Sequence, residues 1–170
     1  MYEISFDTPL TDHRLLRNAL GRFATGVAVI TTRTPSGKKE GVTSNSFSAV
    51  SLDPPLVLWS LRREAPSLGG FLDSKCFAVS VLSSDQSELS RHFATAHPNK
   101  FDSMFHRQGL GDCPLLDKAL ATFECTVETT IPGGDHILFL GRVRRATYRD
   151  GEPLIFSAGT YYAPAPLACA

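Results

Sequence analysis

Short polar side chains crowd one stretch of the chain: Thr43, Ser44, Asn45, Ser46, Ser48 and Ser51. Hydroxyl and amide groups of this size bond to nearby main chain, favour turn-like backbone and leave some N–H and C=O groups unpaired. Asp53, Pro54 and Pro55 follow. The two prolines remove two donors and fix two φ angles, which predicts an extended Asp53 and the end of any ladder. Leu56 to Trp59 then reads as a buried strand. A polar lip of small residues beside an apolar strand suits a flat heteroaromatic ligand, whose rim takes hydrogen bonds while one face lies on hydrocarbon. On composition alone, the commoner reading of such a cluster is an ordinary loop.

Other positions offer charge or proton-transfer groups. Ser67 stands where it can cap a short helix through Leu72, and a capped N-terminus presents N–H groups to an anion; a cap and nothing more is the simpler reading. His136 follows Gly134 and Asp135, and a carboxylate beside an imidazole can orient it or raise its basicity. Neighbouring residues on a strand point to opposite faces, however, which argues against direct contact. Arg142, Arg144, Arg145 and Arg149 make a basic strand and turn, read first as a solvated or subunit-facing strip. No G-x-G-x-x-G follows a strand, and no phosphate-binding G-x-x-x-x-G-K-[ST] or nucleophile-elbow G-x-S-x-G occurs. The five histidines include no H-E-x-x-H and no close pair at metal-ligand spacing.

Gly41 to Ser46 (GVTSNS) and Ser51 to Val57 (SLDPPLV), followed by Arg91-His92-Phe93-Ala94 and Gly134-Asp135-His136, resemble in kind and order the motifs of the flavin reductase family, the reductases that serve two-component flavin-dependent monooxygenases. The resemblance spans nearly the whole chain apart from its tails. It implies a mainly β, split β-barrel fold of the FMN-binding, flavin-reductase-like type with a few short helices, a homodimer, and catalysis by positioning without a catalytic side chain. A reduced nicotinamide lies against the flavin and hands it a hydride, so small residues are needed where the second ring must stack.

The same resemblance places Thr43, Ser44, Asn45, Ser46 and Ser48 along the flavin ring and ribityl chain, with Ser60 and Ser67 as further ribityl or phosphate contacts. Arg91, His92, Phe93 and Lys100 fall in a second cluster near the flavin phosphate, where a surface ion pair is the alternative for the two cations. His136 is implied at the nicotinamide, and Tyr161 and Tyr162 at the second substrate or in simple packing. The flavin is FMN or FAD, the donor NADH ahead of NADPH, and the reduced product passes to a separate oxygenase. A flavoprotein with firmly bound FMN acting on another acceptor, or a non-catalytic flavin-binding module, stands as the alternative.

These residues need elements to hold them. Thr11 or Asp12 can cap a helix with Leu15, Leu16, Ala19, Leu20 and Phe23 at helical spacing, ended by Gly26. Val27 to Thr32 reads as a strand, with a turn at Pro35-Ser36-Gly37 leading into a hairpin. Cys76 to Leu82 reads as another strand. Asp85 and Glu88 suggest a capping box for a helix carrying Leu89 and Phe93. Thr95 to Pro114 is long and irregular, and loops of that length are often functional. Ala121 to Thr130 alternates Phe123, Cys125 and Val127 against Glu124, Thr126 and Glu128, the pattern of a strand with one wet face, which Pro132 to Gly134 should break. His136 to Tyr148 and Leu154 to Tyr162 are read as strands joined by a hairpin turn at Asp150-Gly151. About six strands without regular βαβ alternation favour an antiparallel barrel over a doubly wound sheet.

The totals favour a small-molecule or protein partner. At 170 residues and 42% hydrophobic composition the chain fits a single domain, residues 1–170, with short flexible tails at about 1–10 and 164–170. Lysine plus arginine and aspartate plus glutamate both number 17, so no basic excess points to nucleic acid or an anionic membrane. Cys76, Cys113, Cys125 and Cys169 form no Cys-x-x-Cys pair, which argues against a zinc site or a disulfide framework. No secretory leader or membrane-length apolar run is visible, and the cytoplasm is the expected compartment.

Overall fold

The structure is a computed structural model that describes residues 13–102 and 104–165. The expected cap at Thr11 or Asp12, most of both tails and Cys169 lie outside the described residues. The chain runs α1 (His13–Leu20), β1 (Thr25–Gly26), β2 (Ala28–Arg33), β3 (Lys39–Ser44), β4 (Ser48–Leu52), β5 (Pro55–Arg62), α2 (Leu68–Asp73), β6 (Cys76–Val81), α3 (Ser87–Ala94), β7 (His106–Gln108), β8 (Pro114–Leu116), β9 (Ala121–Gly133), β10 (His136–Tyr148), β11 (Ile155–Ser157) and β12 (Thr160–Tyr162).

Seven strands make one antiparallel sheet in the order β3-β2-β6-β9-β10-β5-β4, with β1-β11-β12 and β7-β8 as smaller sheets. Its long central hairpin, β9 with β10, carries register shifts at Leu140/Gly141 and Val143/Arg145, irregularities of the kind that bend and twist a strand pair. No ladder joins the edge strands β3 and β4 to close the sheet, so the fold is mainly β and split-barrel-like, as the resemblance implies.

The inner face buries an aromatic stack. Trp59 lies on Phe139 with centroids 4.5 Å apart and planes 12° from parallel, and it meets Phe71 and Phe77 edge-on at 4.9 and 5.8 Å. Each ring contributes about 1.5–3 kcal/mol by leaving water. A second cluster, including Val27, Val29, Leu82 and Phe93, packs under α3. Strand β2 serves both clusters, Ile30 in the first and Val29 in the second, which explains why it is buried on both faces.

Several elements depart from expectation. α1 stops at Leu20, and most of its apolar stripe is uncovered by the described residues: Leu15, Leu20 and Phe23 are exposed, while Leu16 is half-buried. β5 alternates instead of being uniformly buried, with Val57, Trp59 and Leu61 inward. Asp53 and Pro54 form the turn of a β4–β5 hairpin and pairing resumes at Pro55, so the prolines do not end the ladder. The capping box is Ser83 with Gln86, one turn upstream of the α-helix proper.

Pro132 and Gly133 belong to β9, since the turn needs only Gly134, at φ +61°, and Asp135. Glu124 is buried, although alternation puts it on the wet face, because the 109–113 turn folds over it. Asp150 and Gly151 do not join paired strands, for β11 pairs with β1 and β12; the positive φ of Ala158 and Gly159 splits the last expected strand in two. The expected count of about six strands falls short because the turn at Asp53 and Pro54 adds β4 to the main sheet and the short strands make two smaller sheets beside it.

Candidate functional site

Where β3 leaves the sheet, the backbone bends through Ser44 to Phe47 and lies against the end of β5. The serine hydroxyls hold that bend. Ser44 Oγ and Ser46 Oγ share a 2.8 Å hydrogen bond, Ser44 Oγ accepts from the Ser46 N–H at 3.2 Å, and Ser46 Oγ accepts from the Ser60 N–H at 2.9 Å. Thr43 Oγ1 donates to the Ser90 carbonyl at 2.6 Å, tying the bend to α3. Asn45, exposed like Ser46, carries a side-chain amide that has no protein partner among the described residues.

Behind this lip lies an open cleft of about 770 Å³. One side is Thr43 to Ser46 with Ser60, Leu61 and Arg62; another is Ala65, Pro66 and Ser67 at the approach to α2. The far side comes from the end of α3 and the strap after it: Phe93, Ala94, Ala96, His97, Pro98 and Lys100. A smaller recess of about 310 Å³ shares Ser46, Ser60 and His136 with the cleft and is otherwise walled by Leu58, Trp59, Gly133 and Leu138.

His136 opens β10 opposite Gly133 and is half-buried between the two spaces. Its Nδ1 lies 2.8 Å from Asp135 Oδ1, a contact that strand alternation argued against. Asp135 sits in the turn, where alternation does not apply. The hydrogen bond from His136, followed by the imidazole's charge, holds the Asp135 carboxyl below its ordinary range.

Lys100 Nζ donates to the carbonyls of Gly41 at 3.0 Å and Phe93 at 2.9 Å. Burial lowers the pKa of this ammonium, with Glu40 opposing the shift. Gly41 is required here, since a Cβ would come within 2.5 Å of the Phe93 ring and 3.0 Å of the Phe101 ring. Ser67 is buried at the N-cap position of α2, but its hydroxyl makes no cap bond, contrary to expectation.

Of the residues singled out in the sequence, Thr43, Ser44, Asn45, Ser46, Ser60, Ser67, Phe93, Lys100 and His136 come together around the cleft. Five do not line it. Ser48 is exposed on β4. Arg91 pairs with Glu88 and lies over the Tyr161 ring at 5.4 Å. His92 Nε2 bonds the Lys100 carbonyl at 2.8 Å. Tyr161 bonds Ser90 Oγ at 2.7 Å, and Tyr162 is exposed. The basic strip is absorbed within the protomer: Arg142 pairs with Glu128, Arg145 with Glu124, Arg144 bonds Thr126, and Arg149 bonds carbonyls near Lys118.

Sequence reasoning missed Lys38, Arg62 and His97 at the cleft. Only the length of the Thr95–Pro114 segment signalled that its first residues had work to do. Three of the four cysteines are seen, and all are free. Burial pushes Cys113 to about 11 and Cys125 to about 12, so both behave as packing groups.

Comparison with known proteins agrees with the geometry. The chain is 45% identical over 148 residues to FMN reductase (NADH) SmoA of Agrobacterium fabrum, covering 87% of this chain and 84% of that protein. It is 36% identical over 152 residues to the reductase component of the flavin-dependent trigonelline monooxygenase of Acinetobacter baylyi, covering 89% of this chain but 49% of that longer protein. Among solved structures, Streptomyces globisporus NADH:FAD oxidoreductase SgcE6 in complex with NAD and FAD fragments superposes with a TM-score of 0.87 at 37% identity, over 95% of this chain and all of that one. The flavin reductase like domain matches residues 20–165, and the chain belongs to that family.

Proposed function

We propose that this chain is an NADH-dependent flavin reductase that takes up FMN or FAD, reduces it and releases it to a separate oxygenase component. The observation that carries this reading is the pair of joined spaces, a long cleft and a smaller recess meeting at Ser46, Ser60 and His136, which can seat two flat ligands side by side. A cleft of about 770 Å³ lies within the range of cofactor sites. Flavin supplies the redox chemistry, accepting a hydride from reduced nicotinamide.

The residues of this chain bind and orient. The Asn45 amide and the main chain of the 43–46 bend face one wall of the cleft, and Phe93 supplies an apolar surface on another. Arg62 brings positive charge suited to phosphate, while Lys38 at the same cleft is paired with Glu40 at 2.6 Å. His136, with Asp135 at Nδ1, presents an oriented imidazole where the two spaces join. The serine hydroxyls of the lip are largely occupied by other protein groups. A site with few free polar groups holds its ligand weakly, and weak retention favours a diffusing product over firmly bound FMN.

Steady-state oxidation of NADH, with FMN, FAD or riboflavin added, tests the reading. Oxidation should require added flavin and saturate with it, and protein passed through gel filtration should be colourless. A yellow protein that oxidises NADH without added flavin would support the tightly bound alternative, and bound flavin with no oxidation of either nicotinamide would support a binding module.

A further inference from the structure

The strap between α3 and β7 carries part of the cleft wall, yet little covers it: Ala94 to Asn99 are all exposed. Two bonds close it into a ring. The His92 Nε2–H donates to the Lys100 carbonyl at 2.8 Å, and Lys100 Nζ donates back to the Phe93 carbonyl at 2.9 Å. Side chain 92 thus holds main chain 100, and side chain 100 holds main chain 93. A third bond, from Lys100 Nζ to the Gly41 carbonyl at 3.0 Å, fastens the ring to β3. The Phe93 ring, 5.9 Å from the ammonium, packs the same junction from the apolar side. Between the two ends stand Ala94, Ala96, His97 and Pro98, all at the cleft.

We propose that Lys100 is a positioning residue which, with His92, clasps the 94–99 strap into place as a wall of the flavin cleft, and that it is not the anchor of the flavin phosphate. An ammonium has three N–H donors, and two of them are aimed at main-chain carbonyls. Hydrogen bonds from a charged donor contribute more than neutral ones, so the clasp offsets a good part of the entropy of ordering six exposed residues. His92 supports the same wall without lining the cleft itself. This deepens the flavin reading and rests on it.

Binding of riboflavin and FMN, followed by quenching of flavin fluorescence, separates the two roles because riboflavin lacks the phosphate. Lys100→Met should raise the Kd for both ligands by the same factor, about tenfold, corresponding to one charged hydrogen bond. His92→Ala should do likewise, and the double variant should be no worse than the poorer single one. A loss confined to FMN would make Lys100 a phosphate ligand and overturn the proposal, as would unchanged binding in His92→Ala.

Hydrogen exchange on the ligand-free protein reads the clasp without flavin. Residues 94–100 should exchange faster in both variants while β9 and β10 stay as protected as in the parent. Unchanged exchange across the strap would overturn the clasp. Failure of the parent to bind either flavin would overturn the functional reading and leave the exchange result to judge the clasp. Should Lys100→Met not fold, His92→Ala carries both measurements.

Discussion

His136 shows how one side chain takes its meaning from its place in the chain. At the first position of β10 it is fixed by the β9–β10 ladder on one side and by the Asp135 carboxylate on the other. A bond at Nδ1 directs the remaining ring nitrogen elsewhere, and the residue borders both the cleft and the recess. Because the Asp135 carboxyl is held low, this contact contributes to the folded state above the ordinary aspartate range and is lost as pH falls through the lowered folded value. The two residues are too exposed for the contact to matter much to stability, so its importance is geometric. If the imidazole orients the nicotinamide, His136→Ala should raise the KM for NADH about tenfold while flavin Kd changes less than twofold. Equal weakening of both ligands in steady-state and binding assays would move the residue off the nicotinamide.

Among the elements, what was legible in the sequence is what local pattern decides. The β2–β3 hairpin, the strand from His136 to Tyr148 and the helix bearing Phe93 follow from turn residues and periodicity, and so does the approximate course of β6. The lip was legible as a polar bend, although not the use of its hydroxyls to bind β3, β5 and α3 together. What could not be read depends on distant partners. Nothing near Lys100 announces a carbonyl at Gly41, 59 residues away. Glu124 is the clearest case, because its alternation is correct and its environment is supplied by another segment.

The Glu124 carboxylate accepts from the Leu110 N–H and pairs with Arg145 at 3.0 Å, so a buried charge organises the turn before β8. Glu124→Ala leaves that N–H unsatisfied and opens a void, and should cost about 2–3 kcal/mol, read as a lower urea midpoint with unchanged slope. Glu124→Gln keeps an acceptor and should lose about half as much. A midpoint unmoved by either change would mean that the carboxylate merely fills space.

At the scale of the whole molecule, the described sheet has an apolar outside. Leu56 and Leu58 of β5, with Leu138 and Leu140 of β10, alternate with the inward Val57, Trp59, Ile137 and Phe139 and therefore face away from the aromatic core. At the β4 edge Val50 is 52% and Leu52 93% exposed. Hydrocarbon at an unpaired sheet edge favours association, and Leu15 and Leu20 of α1, with Phe23 just after it, are exposed among the described residues. A second copy of this chain fits such a surface, because a twofold contact covers both copies at once and the recess beside His136 opens onto the same face through Leu58 and Leu138. A homodimer across β4 and β5 would add a further wall to the recess. Leu52→Asp should shift the mass measured by light scattering from dimer to monomer and raise the KM for NADH, while riboflavin binding in the cleft falls less. A dimer that survives both Leu52→Asp and Val50→Asp, or a parent chain that is monomeric at micromolar concentration, would show that this face is not the one that closes the site.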